Sequence, residues 1–192
     1  LLGRFEARWL IVFGLVVAAA GLFRMSGFNL DVDFRSAMWA RTIQALGMAF
    51  LFVPINTTAF SSVRPEKLGS ATGLMNLFRN IGGSGGIAMI NTIIARRSQF
   101  HQATLVSHLT PLDAGLSPTL HGMTANFVAH GASGPDGFAQ AQALLYGIVQ
   151  KQAAMLAVAD TFWMLALIFL AMIPLVLLLR RTPVHVGAVM ME

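Results

Sequence analysis

No cysteine occurs anywhere in the 192 residues, which excludes disulfides, thiol nucleophiles and thiolate metal sites. Charge is nearly as scarce. Charged residues make up 11% of the chain, against about 25% in a soluble domain. Eight acids and thirteen Lys/Arg cannot coat a water-facing globule of this size. Apolar residues reach 56% and the mean hydropathy is +0.68, so the outer surface is expected to face lipid. The shortage of acids lifts the nominal pI to 11.1, yet the net charge is only +5. The bases are scattered, several of them at the ends of apolar runs where long side chains reach the interface. No basic stripe is present for phosphate contacts, which argues against nucleic-acid binding. The chain starts Leu1-Leu2-Gly3-Arg4, without an initiator Met or a signal-peptide pattern. It is expected to be a piece of a longer protein.

A spanning helix needs about 20 mainly apolar residues to cross about 30 Å of hydrocarbon. Four windows meet this, at 9–28, 37–60, 68–95 and 158–179. None alternates with period two, so barrel strands are not expected. The fold class is all-α, a polytopic membrane protein with about four transmembrane helices. Residues 1–95 would hold three of them, joined by short loops at 29–36 and 61–67 that make tight antiparallel neighbours. Residues 96–157 read as a long mixed loop with short helices, containing Pro111, Pro118 and Pro135. Within it, 118–130 reads as an interfacial helix, and 136–157 as a helix running into the last span. Residues 158–192 would be that span and a tail closing with Arg180-Arg181. Orientation by Lys/Arg bias is a tie, six on each side.

Arg79 is the most informative single residue. It lies twelve positions after Lys67, about 18 Å along a helix and so near mid-bilayer. A charge there costs about 2.5–3.5 kcal/mol on insertion scales unless it faces a polar interior or a partner. Met75, Asn76, Gly82, Gly83 and Gly86 share its helical face. The residue is either a structural tether or part of a substrate or ion path. The GGSGG run at 82–86 lacks the preceding strand and the Gly-Lys-Ser/Thr ending of a phosphate loop. Gly82, Gly83 and Gly86 read instead as small residues for close or sliding helix contact, echoed at Gly69 and Gly73. Gln44, Asn56, Thr57, Thr58, Asn76, Asn80 and Asn91 put polar groups inside spans, where they mark an inner surface. Pro54 and Pro174 are expected to bend their helices. Asp160 opens the last span near an interface, displaced in depth from Arg79. It is an exposed interfacial acid or a titrating proton carrier. His101, His108, His121 and His130 show no zinc-ligand spacing, and no nucleophile elbow is present. No catalytic site, metal or cofactor is expected; the chain does not read as an enzyme.

The stretch WARTIQALGMAFLFVPINTT at 39–58, SSVRPEKLGSATGLMNLFRNIGGSGGIA at 61–88, RRSQFHQATLVSHLTP at 96–111 and Asp160-Thr161-Phe162-Trp163-Met164 resemble the end of the EmrB/QacA-type drug:proton antiporters. These form the fourteen-span (DHA2) branch of the major facilitator superfamily. The resemblance implies that the four windows are the last spans of such a transporter, part of the C-terminal half of the fold. It implies a multi-pass protein of the plasma (inner) membrane with both ends cytoplasmic and 96–157 periplasmic or extracellular. Small organic substrates and protons would be its cargo, moved by alternating access. The missing N-terminal part of the transporter, a periplasmic membrane-fusion adaptor and an outer-membrane channel would be its partners besides the lipid bilayer. Gln44, Pro54, Pro65-Glu66, Arg79, Gly83 and Asp160 fall where the family has matching residue types. The family's best-known motifs lie in its first half and are not in this chain. The rival classes are a non-transporting four-helix membrane scaffold or assembly subunit, and a membrane enzyme. The second would need paired His/Asp motifs at a membrane face.

Overall fold

The computed structural model describes residues 7–60, 63–109 and 115–178. Its elements are α1 (Ala7–Ser26), α2 (Phe34–Phe60), a single 3-10 turn (Pro65–Lys67), α3 (Leu68–His108), α4 (Leu116–Ala129) and α5 (Gly134–Leu177). No strand occurs among the described residues. The segments before Ala7 and after Leu178, with Arg180 and Arg181, lie outside the described residues, as does Pro111.

The helices fall into two compact units, 1–89 with 161–192, and 90–160. In the first, α1 and α2 form an antiparallel hairpin. Ser26 ends α1 by donating from its hydroxyl to the Phe23 carbonyl at 2.7 Å. Asp33 starts α2 by accepting the Ser36 backbone N–H at 3.2 Å, the N-cap bond that satisfies one orphan donor of a first turn. The buried face of α1 contains Ile11, Leu15, Ala18, Leu22 and Met25, and that of α2 contains Ala40, Gly47, Leu51 and Pro54, with half-buried Gln44 between. Both rows advance by alternating steps of four and three. This is the heptad spacing that lets two helices stay in contact over several turns.

Small residues set how close they come. A Cβ on Gly47 would collide with the Ala18 backbone nitrogen and stand 2.7 Å from the Ala18 Cα. One on Gly21 would stand 2.7 Å from the Gln44 backbone nitrogen, and one on Gly14 2.9 Å from the Gly47 carbonyl oxygen. Phe13 and Phe50 meet edge-to-face beside this seam, with centroids 5.3 Å apart. Val176 joins Ile11, Leu15 and Leu51 in one buried cluster, with Val12, Phe169 and Ile173 packed against it. Outside that cluster the surface is apolar. Phe23 and Phe52 are 64% and 60% exposed, an arrangement that belongs in hydrocarbon.

Three helices are long and apolar enough to cross a membrane: Arg8–Ser26, Phe34–Thr57 and Gly134–Leu177. The 68–95 window is helical and long enough, but it does not reach the same apolarity. Asn76, Arg79, Asn80, Ser84 and Asn91 interrupt it, and no described residue of α3 is buried. The expected loop boundary at 96 is also corrected, because α3 continues to His108 and spans 41 residues. No Pro or Gly occurs between Ile87 and Thr110, so nothing in the backbone breaks the helix. Arg96 and Arg97 mark a change of surroundings and leave the helix intact.

In the second unit, α4 ends at Gly131, whose φ is +98°. The Gly131 N–H reaches the Val128 carbonyl at 3.0 Å and the Ala132 N–H reaches Phe127 at 3.1 Å, the pair of bonds of a Schellman motif. Ser133 then caps α5. It accepts the Asp136 N–H at 3.3 Å and donates to the Asp136 carboxylate at 2.5 Å, a reciprocal capping arrangement. The helix so begun runs 44 residues, about 65 Å. That is more than twice what the hydrocarbon requires.

Candidate functional site

The first candidate cluster lies between α2 and α3. Pro54 lacks an N–H and weakens the backbone ladder of α2 locally. Nearby polar side chains bond to carbonyls there. Asn56 donates from Nδ2 to the Phe52 carbonyl at 2.7 Å, and the Thr57 hydroxyl lies 3.2 and 3.1 Å from the Val53 and Pro54 carbonyls. With its amide nitrogen used locally, Asn56 presents its Oδ1 outward. Arg79 of α3 donates to that oxygen from Nη2 at 3.3 Å, and its guanidinium sits 5.5 Å from the Phe52 ring centroid. A neutral amide and an aromatic face therefore hold the cation. No acid among the described residues pairs with Arg79; the described ion pairs belong to Asp160. Five N–H donors on a planar fork with one amide acceptor leave capacity for an anionic or strongly polar group.

The other sequence candidates distribute around this cluster unevenly. Asn76 and Asn80 are exposed on α3, three before and one after Arg79. Pro54 is buried in α2, and Pro174 is exposed within α5. Gln44 is not part of the cluster. Twelve residues before Asn56 on the same helix, it lies about 18 Å away along the axis. There its Oε1 accepts from Arg41 Nη1 at 2.5 Å while its backbone packs under Gly21. Around Gly82, Gly83, Gly85 and Gly86, a Cβ would meet nothing within 4 Å. Among the described glycines, an added Cβ would strike the backbone of a neighbouring helix at Gly14, Gly21 and Gly47, and at Gly137 it would stand 3.0 Å from the Val128 side chain.

The second cluster lies within the 90–160 unit. Asp160 Oδ2 is 2.8 Å from His101 Nε2 and 3.6 Å from Arg97 Nε. Arg97 and His101 are four apart on α3, hence on one helix face, and the carboxylate comes from α5. The Asp160 side chain is 35% exposed and that of His101 19%. Reading 96–157 as a loop hid this cluster. Once α3 is continued past Arg96-Arg97, the i, i+4 pairing of Arg97 with His101 follows from spacing alone. Asn56 was visible as a polar residue within a span, but its link to Arg79 depends on how α2 and α3 meet. No group of three or more His, Asp or Glu suited to a metal occurs among the described residues.

Described residues that are helical without a strand, with three helices long and apolar enough to cross a membrane, make this a polytopic membrane protein. Comparison with known proteins specifies the kind. The chain is 27% identical over 191 residues to the fatty acid resistance protein FarB of Neisseria gonorrhoeae, covering 97% of this chain and 36% of that protein. It is 28% identical over 181 residues to the multidrug export protein EmrB of Escherichia coli K12, covering 92% and 34%. The colistin resistance protein EmrB of Acinetobacter baumannii is 25% identical over 168 residues, 88% of this chain and 32% of that one. The chain is similar over most of its length to these EmrB and FarB proteins, which are export and resistance proteins of the DHA2 type within the major facilitator superfamily. It spans about a third of the length of the relatives it matches. No family model and no solved structure matches it.

Proposed function

We propose that this chain forms the last spans of a proton-coupled multidrug efflux transporter of the inner membrane, within the C-terminal half of its fold. Its relatives carry the names of export and resistance proteins, which supports transport rather than catalysis. In this reading both ends and the 61–67 connection face the cytoplasm, and residues 96–157 lie on the opposite side. Excess length in α3 and α5 supports that placement, because each exceeds a bilayer crossing by more than 20 residues. A membrane-fusion adaptor and an outer-membrane channel would engage the pump from that outer side. Drug and proton would move by alternating access between two halves.

The observation that carries the reading is Arg79 held by Asn56 and Phe52. A cation deep in a span is retained against its insertion cost where it serves a path or a polar interior. Asn76 and Asn80 extend the polar surface along α3, and the resistance-to-fatty-acids name of one relative fits an anionic amphiphile meeting a cation beside an apolar wall. The test is drug and fatty-acid resistance of a sensitive host expressing the full transporter at matched levels. Arg79→Ala removes a charged hydrogen-bonding partner worth about 1.5–3 kcal/mol, so transport affinity falls on the order of tenfold or more. Arg79→Lys restores it in part, because a point charge replaces the planar fork. Unchanged resistance with Arg79→Ala would reject the role.

A further inference from the structure

Asp160 offers one carboxylate oxygen to two bases of different kinds. Arg97, at 3.6 Å, is charged at every physiological pH. His101, at 2.8 Å, carries an imidazole, the side-chain type used for pH-dependent switching near neutrality. Both bases stand on α3 and the acid on α5, so the three side chains join two helices that otherwise differ in role and length. We infer that Arg97, His101 and Asp160 form a proton-binding latch, in which the proton taken up by His101 tightens the hold of α3 on α5 within the 90–160 unit.

The argument rests on contact geometry. With the imidazole protonated, the 2.8 Å contact becomes a charge-assisted hydrogen bond, roughly twice as strong as its neutral counterpart. With the imidazole neutral, Arg97 remains as the one charged partner, at longer range and with a side chain 45% exposed, where solvent weakens the attraction. Arg97 therefore keeps the carboxylate in place, while His101 sets how firmly it is held. The proton's path is simple: water at the half-exposed rim delivers it to the ring, and no bond other than N–H forms or breaks.

The remaining ionisable groups of the unit have other engagements or positions. His108, His121 and His130 each bond through Nδ1 to a carbonyl of their own helix, at 2.7, 2.7 and 2.8 Å. Asp136 is taken by Ser133, and the Tyr146 hydroxyl accepts from Gln102 at 3.1 Å. Arg96 and Lys151 are exposed and neither lies within ion-pair distance of Asp160. Among the described histidines of this unit, His101 is the one that touches an acid. The inference holds for the unit itself and does not require the transport reading.

These 192 residues contain no cysteine, so once any cysteine elsewhere in the full-length protein is replaced, a reporter pair can be placed without background. Spin labels at Val106→Cys and Leu156→Cys, both on exposed positions, report the α3–α5 separation in the full-length protein in lipid nanodiscs. Distances are read at roughly pH 5.5 and pH 8.5, on either side of the ordinary histidine range. The expected result is a narrow distribution at the lower pH and a broader or shifted one at the higher. His101→Gln abolishes this pH response, and His101→Lys holds the low-pH distribution throughout. His108→Gln leaves the response intact. A wild-type distribution that does not change with pH, or an unchanged response in His101→Gln, overturns the inference. No substrate is present in the measurement, so its failure is separate from failure of the transport reading.

Discussion

The α1–α2 hairpin and α3 both carry glycines at helical spacing, yet the structure uses them in opposite ways. Gly14, Gly21 and Gly47 sit where two backbones touch, and each added Cβ would strike the neighbouring helix. Gly82, Gly83, Gly85 and Gly86 open onto space, on a helix with no buried described residue. Glycine content alone therefore does not locate a helix contact. What distinguishes the hairpin is that its glycines border the packed seam, Gly47 within the four-three row of α2 and Gly14 and Gly21 directly beside Leu15 and Leu22 of α1, so small and large residues lie together along it. In α3 the glycines share a face with Arg79 and Asn76, and polarity takes the place of that seam.

The largest expected effect breaks this contrast directly. In the 192-residue chain, Gly47→Leu forces α1 and α2 apart; overpacking costs about 1–3 kcal/mol where side chains can yield, and here the obstacle is the Ala18 backbone. Gly83→Leu in the same chain should leave thermal unfolding in detergent nearly unchanged. Equal losses from the two would mean that α3 has a close neighbour within the chain. A smaller effect sharpens the view of Arg79. A double-mutant cycle of Arg79→Ala with Asn56→Ala, read by resistance in the full transporter, should show a coupling of about 0.5–3 kcal/mol, as expected for residues in contact. Additive losses would separate the two residues functionally.

How much of this was legible in sequence differs between the same two regions. The α1 and α2 windows stood out because fourteen uncharged residues from Leu10 to Phe23 admit few alternatives to a buried or lipid-facing helix. The last span was equally plain from 162–179. The end of α3 was missed because Arg96-Arg97 was taken for the end of a helix, when it signals only the end of apolar surroundings. With the helix cut there, His101 became a loop histidine, and its contact with Asp160 could not be seen. Gln44 shows the other side of this: its amide stands in a span as a polar group, and the structure gives it a local bond from Arg41 one turn away while its backbone packs in the α1–α2 seam. Spacing along one helix was readable; meetings between helices, such as Asn56 with Arg79, were not.

The smallest effect concerns the helix start. Hydrogen bonds from the Ser36 side chain and then its backbone N–H hold the Asp33 carboxyl below its usual range. A depressed folded-state value means the cap's contribution is present above the ordinary carboxylate range and is lost as pH falls through the folded value. Asp33→Asn should therefore lower stability slightly at neutral pH, with the difference from wild type disappearing in strong acid. A difference that persists at the acid end would assign the loss to packing.

The topology proposed above has α1, α2 and the second half of α5 in hydrocarbon, the 63–67 turn facing the cytoplasm and the start of α5 facing the outer side. Single cysteines introduced into this cysteine-free chain at Phe13, Leu46, Ile168, Arg64 and Phe138, probed with a membrane-impermeant maleimide on intact cells and on inverted vesicles, test it most directly. The expected outcome is no labelling at the first three positions, Arg64→Cys labelled only in inverted vesicles and Phe138→Cys only in intact cells. Labelling of Phe13→Cys or Ile168→Cys in both preparations, or of Arg64→Cys and Phe138→Cys from the same side, would contradict the account.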